Sequence, residues 1–231
     1  MLAEKVLFQV VWGARQETAD QIAHRWWRLN QRLGTVDPLL SRWVILEEHD
    51  EGYLELNLDR QTLLKQVVIE GANENKPDLG FGFGAWNGQS GELEVSFRAQ
   101  AGQSQSASGL VNSARIEVRP QSEDEVHRWT AAARSVLMSL VEAFDPDFGM
   151  VWTHPVRQAQ QVAPAHPFAG FITYLSGMRG SSVPAELRPE VQEQGGVLLS
   201  LVVPGEGWPG VEEVARLGSA LKQAGSLEPA V

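Results

Sequence analysis

The sequence predicts an α+β fold: a mostly antiparallel sheet packed by one long central helix and flanking helices. Three observations carry this. Val126, Trp129, Ala133, Val136, Leu140 and Phe144 recur at steps of three or four, which draws one apolar stripe along a helix from Ser122 to about Phe144. Leu93, Val95 and Phe97, and then Ala114, Ile116 and Val118, alternate with polar residues, the period of half-buried strands. Strand patterns cluster rather than alternating strictly with helical ones, which favours an antiparallel arrangement over βαβ units.

Taken in order, the first strand is Lys5 to Trp12, where most positions are apolar and burial on both faces is expected; Gly13 ends it. A helix follows from about Thr18, its N-cap, to Leu33, with Gly34 as the closing glycine. Ile22, Trp26, Leu29 and Leu33 form its buried stripe, and Arg25, Arg28 and Arg32 read as a basic outer stripe. Asp37-Pro38 makes a turn, and Leu39 to Leu46 leads into the densest acidic run, Glu47-Glu48-His49-Asp50-Glu51. Such a run is either a solvated loop or a partner contact. Asp59 caps a short helix through Val68, and Gly71 to Pro77 reads as an exposed polar loop.

Gly80 to Gly88 alternates glycine with aromatic residues and ends in Asn87-Gly88, a tight-turn pair that opens a hairpin into Glu92–Ala99. No lysine follows in Walker-type spacing and no helix opens after the glycines, so close backbone packing explains them better than a phosphate loop. Ala101 to Gly109 is a low-complexity Gly/Ser/Gln loop. The long helix begins with Ser122 and Glu125 as a capping box, carries Glu123, Asp124 and Glu125 at the positive end of its dipole, and spans roughly 30 Å at about 1.5 Å per residue. Pro146 disfavours helical geometry at Asp145, and a strand, Met150 to Trp152, follows. Residues 154–168 are rich in Pro, Gln and Ala and read as a linker or surface arm. Two arrangements are therefore open: one domain over 1–231, or lobes of about 1–152 and 169–231 joined by 153–168. Beyond it, Ala169 to Leu175 is apolar, Val197 to Val203 is a buried strand, and a helix begins near Trp208-Pro209. That helix turns Val211, Val214, Leu217 and Leu221 inward and stops at Gly225.

Composition narrows the function. The chain has 231 residues, eight tryptophans and no cysteine, which excludes a disulfide framework, thiolate zinc sites and a cysteine nucleophile. No apolar run is long enough to span a bilayer, and the early acid at Glu4 is unlike a signal peptide, so a cytoplasmic location is expected. The net charge of −10 argues against direct nucleic-acid binding and fits either simple solubility or a basic partner.

A catalytic constellation is not apparent. Asp145 and Asp147, with His154 and His166 beyond, could be read as a metal-dependent hydrolase site, but their spacing around a proline is also that of a helix exit. No Gly-x-Ser-x-Gly, nucleotide fingerprint or zinc spacing occurs, so no catalytic residue, metal or cofactor is assigned.

Several of these pieces together resemble the immunity protein 52 family. They are Trp12-Gly13-Ala14-Arg15, a helix bearing Ala23 and Arg25, Asp37-Pro38 with Trp43, Leu79-Gly80-Phe81, Trp86-Asn87-Gly88, Phe144-Asp145-Pro146-Asp147-Phe148-Gly149, Gly170 to Ser176, and Gly195-Gly196-Val197-Leu198. Phe144 stands where the family pattern suggests Trp, and residues 154–168 do not align. The resemblance implies a non-enzymatic protein that binds and neutralises a toxin, often a nuclease, exported by a type VI secretion system. It also implies that Trp12, Gly13, Arg15, Asp37, Trp43, Gly80, Trp86, Asn87, Asp145 and Asp147 determine the fold, with a shared partner groove as the contrary reading. Toxin contacts are then expected on Glu47, Glu48, Asp50 and Glu51, with Tyr53 as an aromatic anchor. An adaptor that loads the toxin is a further alternative, and the oligomeric state is open.

Overall fold

The structure, a computed structural model, describes residues 4–46, 53–56, 58–71, 79–90, 93–104, 111–162, 166–192 and 195–228, without the side chains of 46, 53, 54 and 69–71. Its strands are β1 (Val6–Trp12), β2 (Val44–Leu46), β3 (Tyr53–Glu55), β4 (Phe81–Trp86), β5 (Val95–Ala101), β6 (Asn112–Val118), β7 (Phe148–Trp152), β8 (Ile172–Leu175), β9 (Glu190–Val191) and β10 (Val197–Ser200). Its helices are α1 (Ala19–Val36), α2 (Arg60–Gly71), α3 (Glu123–Phe144), α4 (His154–Ala159), α5 (Gly177–Gly180) and α6 (Val211–Gln223). The strands form one continuous sheet in the order β3-β2-β4-β5-β6-β1-β7-β8-β10-β9, and every neighbouring pair is antiparallel.

β1 lies near the middle, between β6 and β7, because its alternation feeds both faces. Val6, Phe8, Val10 and Trp12 point toward α3, where Phe8 meets Trp129 and Trp12 stacks on Phe144 with centroids 5.3 Å apart. α1 packs on the same face farther along: Trp26 contacts Phe83 and Phe97, and Trp43 meets Phe97 edge-on. The expected stripes hold, since Ile22, Trp26, Leu29, Leu33, Trp129, Ala133, Val136, Leu140 and Phe144 are all buried. Burying side chains of this size stabilises by about 1.5–3 kcal/mol each, and it fixes both helices across the sheet.

Several expectations need correction. Gly34 does not end α1: the helix continues to Val36 and stops at Asp37, whose extended backbone (φ −153°) is the geometry required before Pro38. Arg25 departs from the outer stripe, whereas Arg28 and Arg32 are exposed as expected. Arg25 donates to the Ala143 carbonyl (3.0 Å) and pairs with Glu17, while Arg32 pairs with Glu142, so both tie α1 to α3. At the start of α3, Ser122 accepts from the Glu125 amide, but the Glu125 carboxylate accepts from Gln121 (2.8 Å) rather than closing a box on Ser122. A reciprocal box occurs instead at α1, between Thr18 and Gln21. β5 runs two residues beyond its expected end, so Ala101 belongs to the strand, and Gly102 and Gln103 after it are buried. The stretch read as a linker contains α4, with Val156 fully buried, and Gln160 bridges to Ala169 through both its amide oxygen and nitrogen. At the other end, α6 closes as expected: Gly225 is left-handed (φ 75°) and the Ser226 amide reaches back to the Leu221 carbonyl.

Candidate partner-binding surface

Five of the ten motif residues, Trp12, Gly13, Arg15, Asp145 and Asp147, meet where α3 ends beside β1 and β7 rather than on a cleft. α3 ends at Asp145 in a left-handed conformation (φ 49°), leaving carbonyls to be satisfied. Arg15 donates to Phe144 O and Asp145 O, Arg25 to Ala143 O, and the buried Glu17 lies between the two guanidinium groups. Two cations at a helix C-terminus complement its dipole. Burial lowers the Arg15 pKa from its ordinary value, while Glu17 and Asp145 act to raise it.

Asp147 accepts from the Gly13 amide (2.7 Å), and its own amide donates to Val11 O, which locks β1 to the start of β7. The side chain of Asp145 is exposed, 3.9 Å from Arg15. The two aspartates thus serve different partners, and no group of three or more His, Cys, Asp or Glu side chains able to hold a metal occurs among the described residues. His154 lies edge-on to Trp152, and His166 is exposed.

The remaining motif residues sit at other joints. Asp37 accepts from Leu39 N (2.8 Å) and from Arg128, fastening α1 to α3. Asn87 is buried in the β4–β5 hairpin, donating to Leu93 O (2.7 Å) and accepting from Val95 N (3.0 Å). Gly80 is left-handed (φ 67°), and a Cβ there would fall 2.2 Å from Ala101 O, so close backbone packing does account for this glycine. Trp12 and Trp43 are buried, and Trp86 is half-buried.

The acidic run occupies the connection between β2 and β3, an antiparallel pair whose last matched residues are Leu46 and Tyr53. Glu47, Glu48, Asp50 and Glu51 lie outside the described residues, and Tyr53 is described by its backbone alone. β3 is an edge strand. In the chain the run therefore lies between β2 and β3 at one end of the sheet, where β2 pairs with β4. On the sheet face turned away from α1 and α3, no helix among the described residues covers that end. Val44, Gly84, Trp86, Ser96 and Arg98 line a shallow depression of about 260 Å³ there.

Sequence reasoning missed two contributors. Asn112 donates to Gly13 O (2.7 Å) and accepts from Gln103 N (2.9 Å), joining β6 to the motif residues; a lone Asn before an alternating strand was its only signal. Arg98 and Arg115 were legible as polar positions of two strands, but only the register makes them direct cross-strand neighbours.

Geometry of this kind defines an α+β protein built on a single antiparallel sheet, with helices over one face and, among the described residues, no helix over one end of the other. The chain belongs to the immunity protein 52 family, whose model matches residues 7–229. No curated protein matches it. Among solved structures, the T6SS protein PA0821 of Pseudomonas aeruginosa aligns with a TM-score of 0.54 at 12% identity, covering 99% of this chain and 75% of that one, a likeness of fold.

Proposed function

We propose that the chain is a non-enzymatic immunity protein, one domain over 1–231, that binds a cognate antibacterial toxin in the cytoplasm and blocks its active site or an adjacent exosite. The family match over residues 7–229 carries this reading. Its T6SS setting is supported by the fold shared with PA0821. A nuclease is the toxin favoured by charge: a nuclease cleft must be basic to hold a polyanion, and this chain carries −10. No helix of the described residues is long and apolar enough to cross a membrane, which agrees with a target met in solution.

The proposed contact is the β2–β3 hairpin, with Glu47, Glu48, Asp50 and Glu51 steering and Tyr53 anchoring. The test is co-expression with the toxin encoded beside this chain, scored by survival and co-purification. Rescue with a stable complex is expected; binding without rescue would instead indicate a loading adaptor, and the absence of both binding and rescue would overturn the immunity reading. On the purified complex, reversing the four carboxylates together should slow association by about tenfold or more at low salt and much less at high salt, because steered encounters are screened. An unchanged association rate removes the hairpin from the interface.

A further inference from the structure

The open end of the sheet carries a feature that an acidic inhibitor does not need for solubility. Arg98 on β5 and Arg115 on β6 are directly opposed in register, on the face turned away from α1 and α3. Like charges in that relation destabilise a sheet. Nothing within the described residues offsets this: neither side chain has an ion pair or hydrogen bond there. Glu117, on the same face two residues from Arg115, is taken by Lys5. On the far side of Arg98 the register places Gly84, where a Cβ would meet Phe97 O at 2.9 Å and Arg98 Cγ at 3.4 Å. Glycine thus lets the Arg98 stem lie across β4, beside the half-buried Trp86 and the depression it helps to line.

Two arginines on adjacent strands of one face, each able to grip a carboxylate in a fork, make a receptor for an anionic side chain. A rigid aromatic wall is the usual companion of such a charge in an interface. β2, which leads into the acidic run, pairs with β4, the strand that carries Gly84 and Trp86.

We infer that Arg98 and Arg115, walled by Trp86 and Gly84, receive an aspartate or glutamate side chain of the toxin. This rests on the immunity reading and deepens it. The interface is then bipolar: the acidic hairpin meets basic toxin residues, and the arginine pair meets an acidic one, which fixes the register of docking. An interface that used only negative charge would gain from losing these arginines. A bipolar one must lose.

That difference in sign is the test. Equilibrium and rate constants are measured for the co-purified toxin with the wild type, R98E/R115E, R98Q/R115Q and, as a control, R216E on the exposed face of α6. The double reversal is expected to weaken binding at least tenfold, the neutral pair by less, and R216E to leave binding unchanged or slightly tighter. The neutral pair should melt at the wild-type temperature or above, since it removes a repulsion. Binding of R98E/R115E that is unchanged or tighter overturns the inference and leaves the immunity reading intact. A wild-type chain that binds no toxin overturns both. If the variants bind toxin normally and instead shift the sedimentation of the free chain, the arginines hold a second copy, and the inference also fails.

Discussion

Along one cross-strand row, the register runs Gly84, Arg98, Arg115, Gln9, Met150, Thr173 and Leu199. These residues share a face, yet Met150, Thr173 and Leu199 are buried, whereas Gln9 and Arg115 are half-buried and Arg98 is exposed. The buried end is covered after the chain leaves β7: Phe168 and His154 close on Trp152 edge-on, with Arg157 over the Trp152 ring. The other end has helices on its far side only. An antiparallel sheet tolerates a wet face because its alternation can supply polar residues there. The two ends therefore divide the work, one supplying stability and the other a surface that is cheap to change.

The largest expected effect tests this division within the row. Met150→Ala should cost about 2–5 kcal/mol, the loss of a buried side chain plus the cavity it leaves. Arg98→Ala, five strands away from Leu199 in the same row, should stay within about 0.5 kcal/mol. Urea unfolding of both variants measures the contrast. Equal losses would mean that the open end is packed after all.

A smaller effect probes the joint between the ends. Asp147→Ala strands the Gly13 amide where β1 meets β7, and should cost about 1–3 kcal/mol; Asp147→Asn keeps an acceptor and should cost less. Asp145→Ala should fall below both, because that carboxylate is exposed and 3.9 Å from its cation. Thermal melting ranks the three, and an Asp145 effect as large as that of Asp147 would contradict the division of roles drawn for the two aspartates.

The two ends also differ in how far the sequence announced them. The covered strand β7 is a continuous apolar run, β8 is interrupted only by the buried Thr173, and the alternation of β5 and β6 already declared one face polar. Local signals were equally readable: Thr18, Ser122 and Asp59 cap where the pattern placed them, and Pro146 stops α3 at the residue before. What failed was whatever depended on a distant partner. Arg25 looked solvated because α3, which receives it, is about a hundred residues away. Gly34 looked terminal because an exposed helical glycine and a C-terminal glycine share one letter. α4 was hidden by Pro155 near its start, where proline is compatible with a first turn but reads as a loop. The Arg98–Arg115 pair needed the register of two strands, which turn chemistry and the buried face set together.

The smallest effect concerns α2, which supports the open end from the opposite face. Asp59 accepts from the amide and the hydroxyl of Thr62, and these bonds hold its pKa below the ordinary 3.8. A carboxyl group with a depressed folded-state pKa adds stability that is fully present above the unfolded value and is lost as pH falls through the folded one. Asp59→Asn keeps the cap acceptor but has no proton to gain. The melting temperatures of the two proteins should therefore differ most near neutral pH, with the wild type higher, and converge as pH falls below 3.8. Because α2 lies under β4 rather than under β7 and β8, this convergence should leave the Met150 contrast unchanged. A double variant whose losses failed to add would instead couple the two ends of the sheet more tightly than their separate coverings imply.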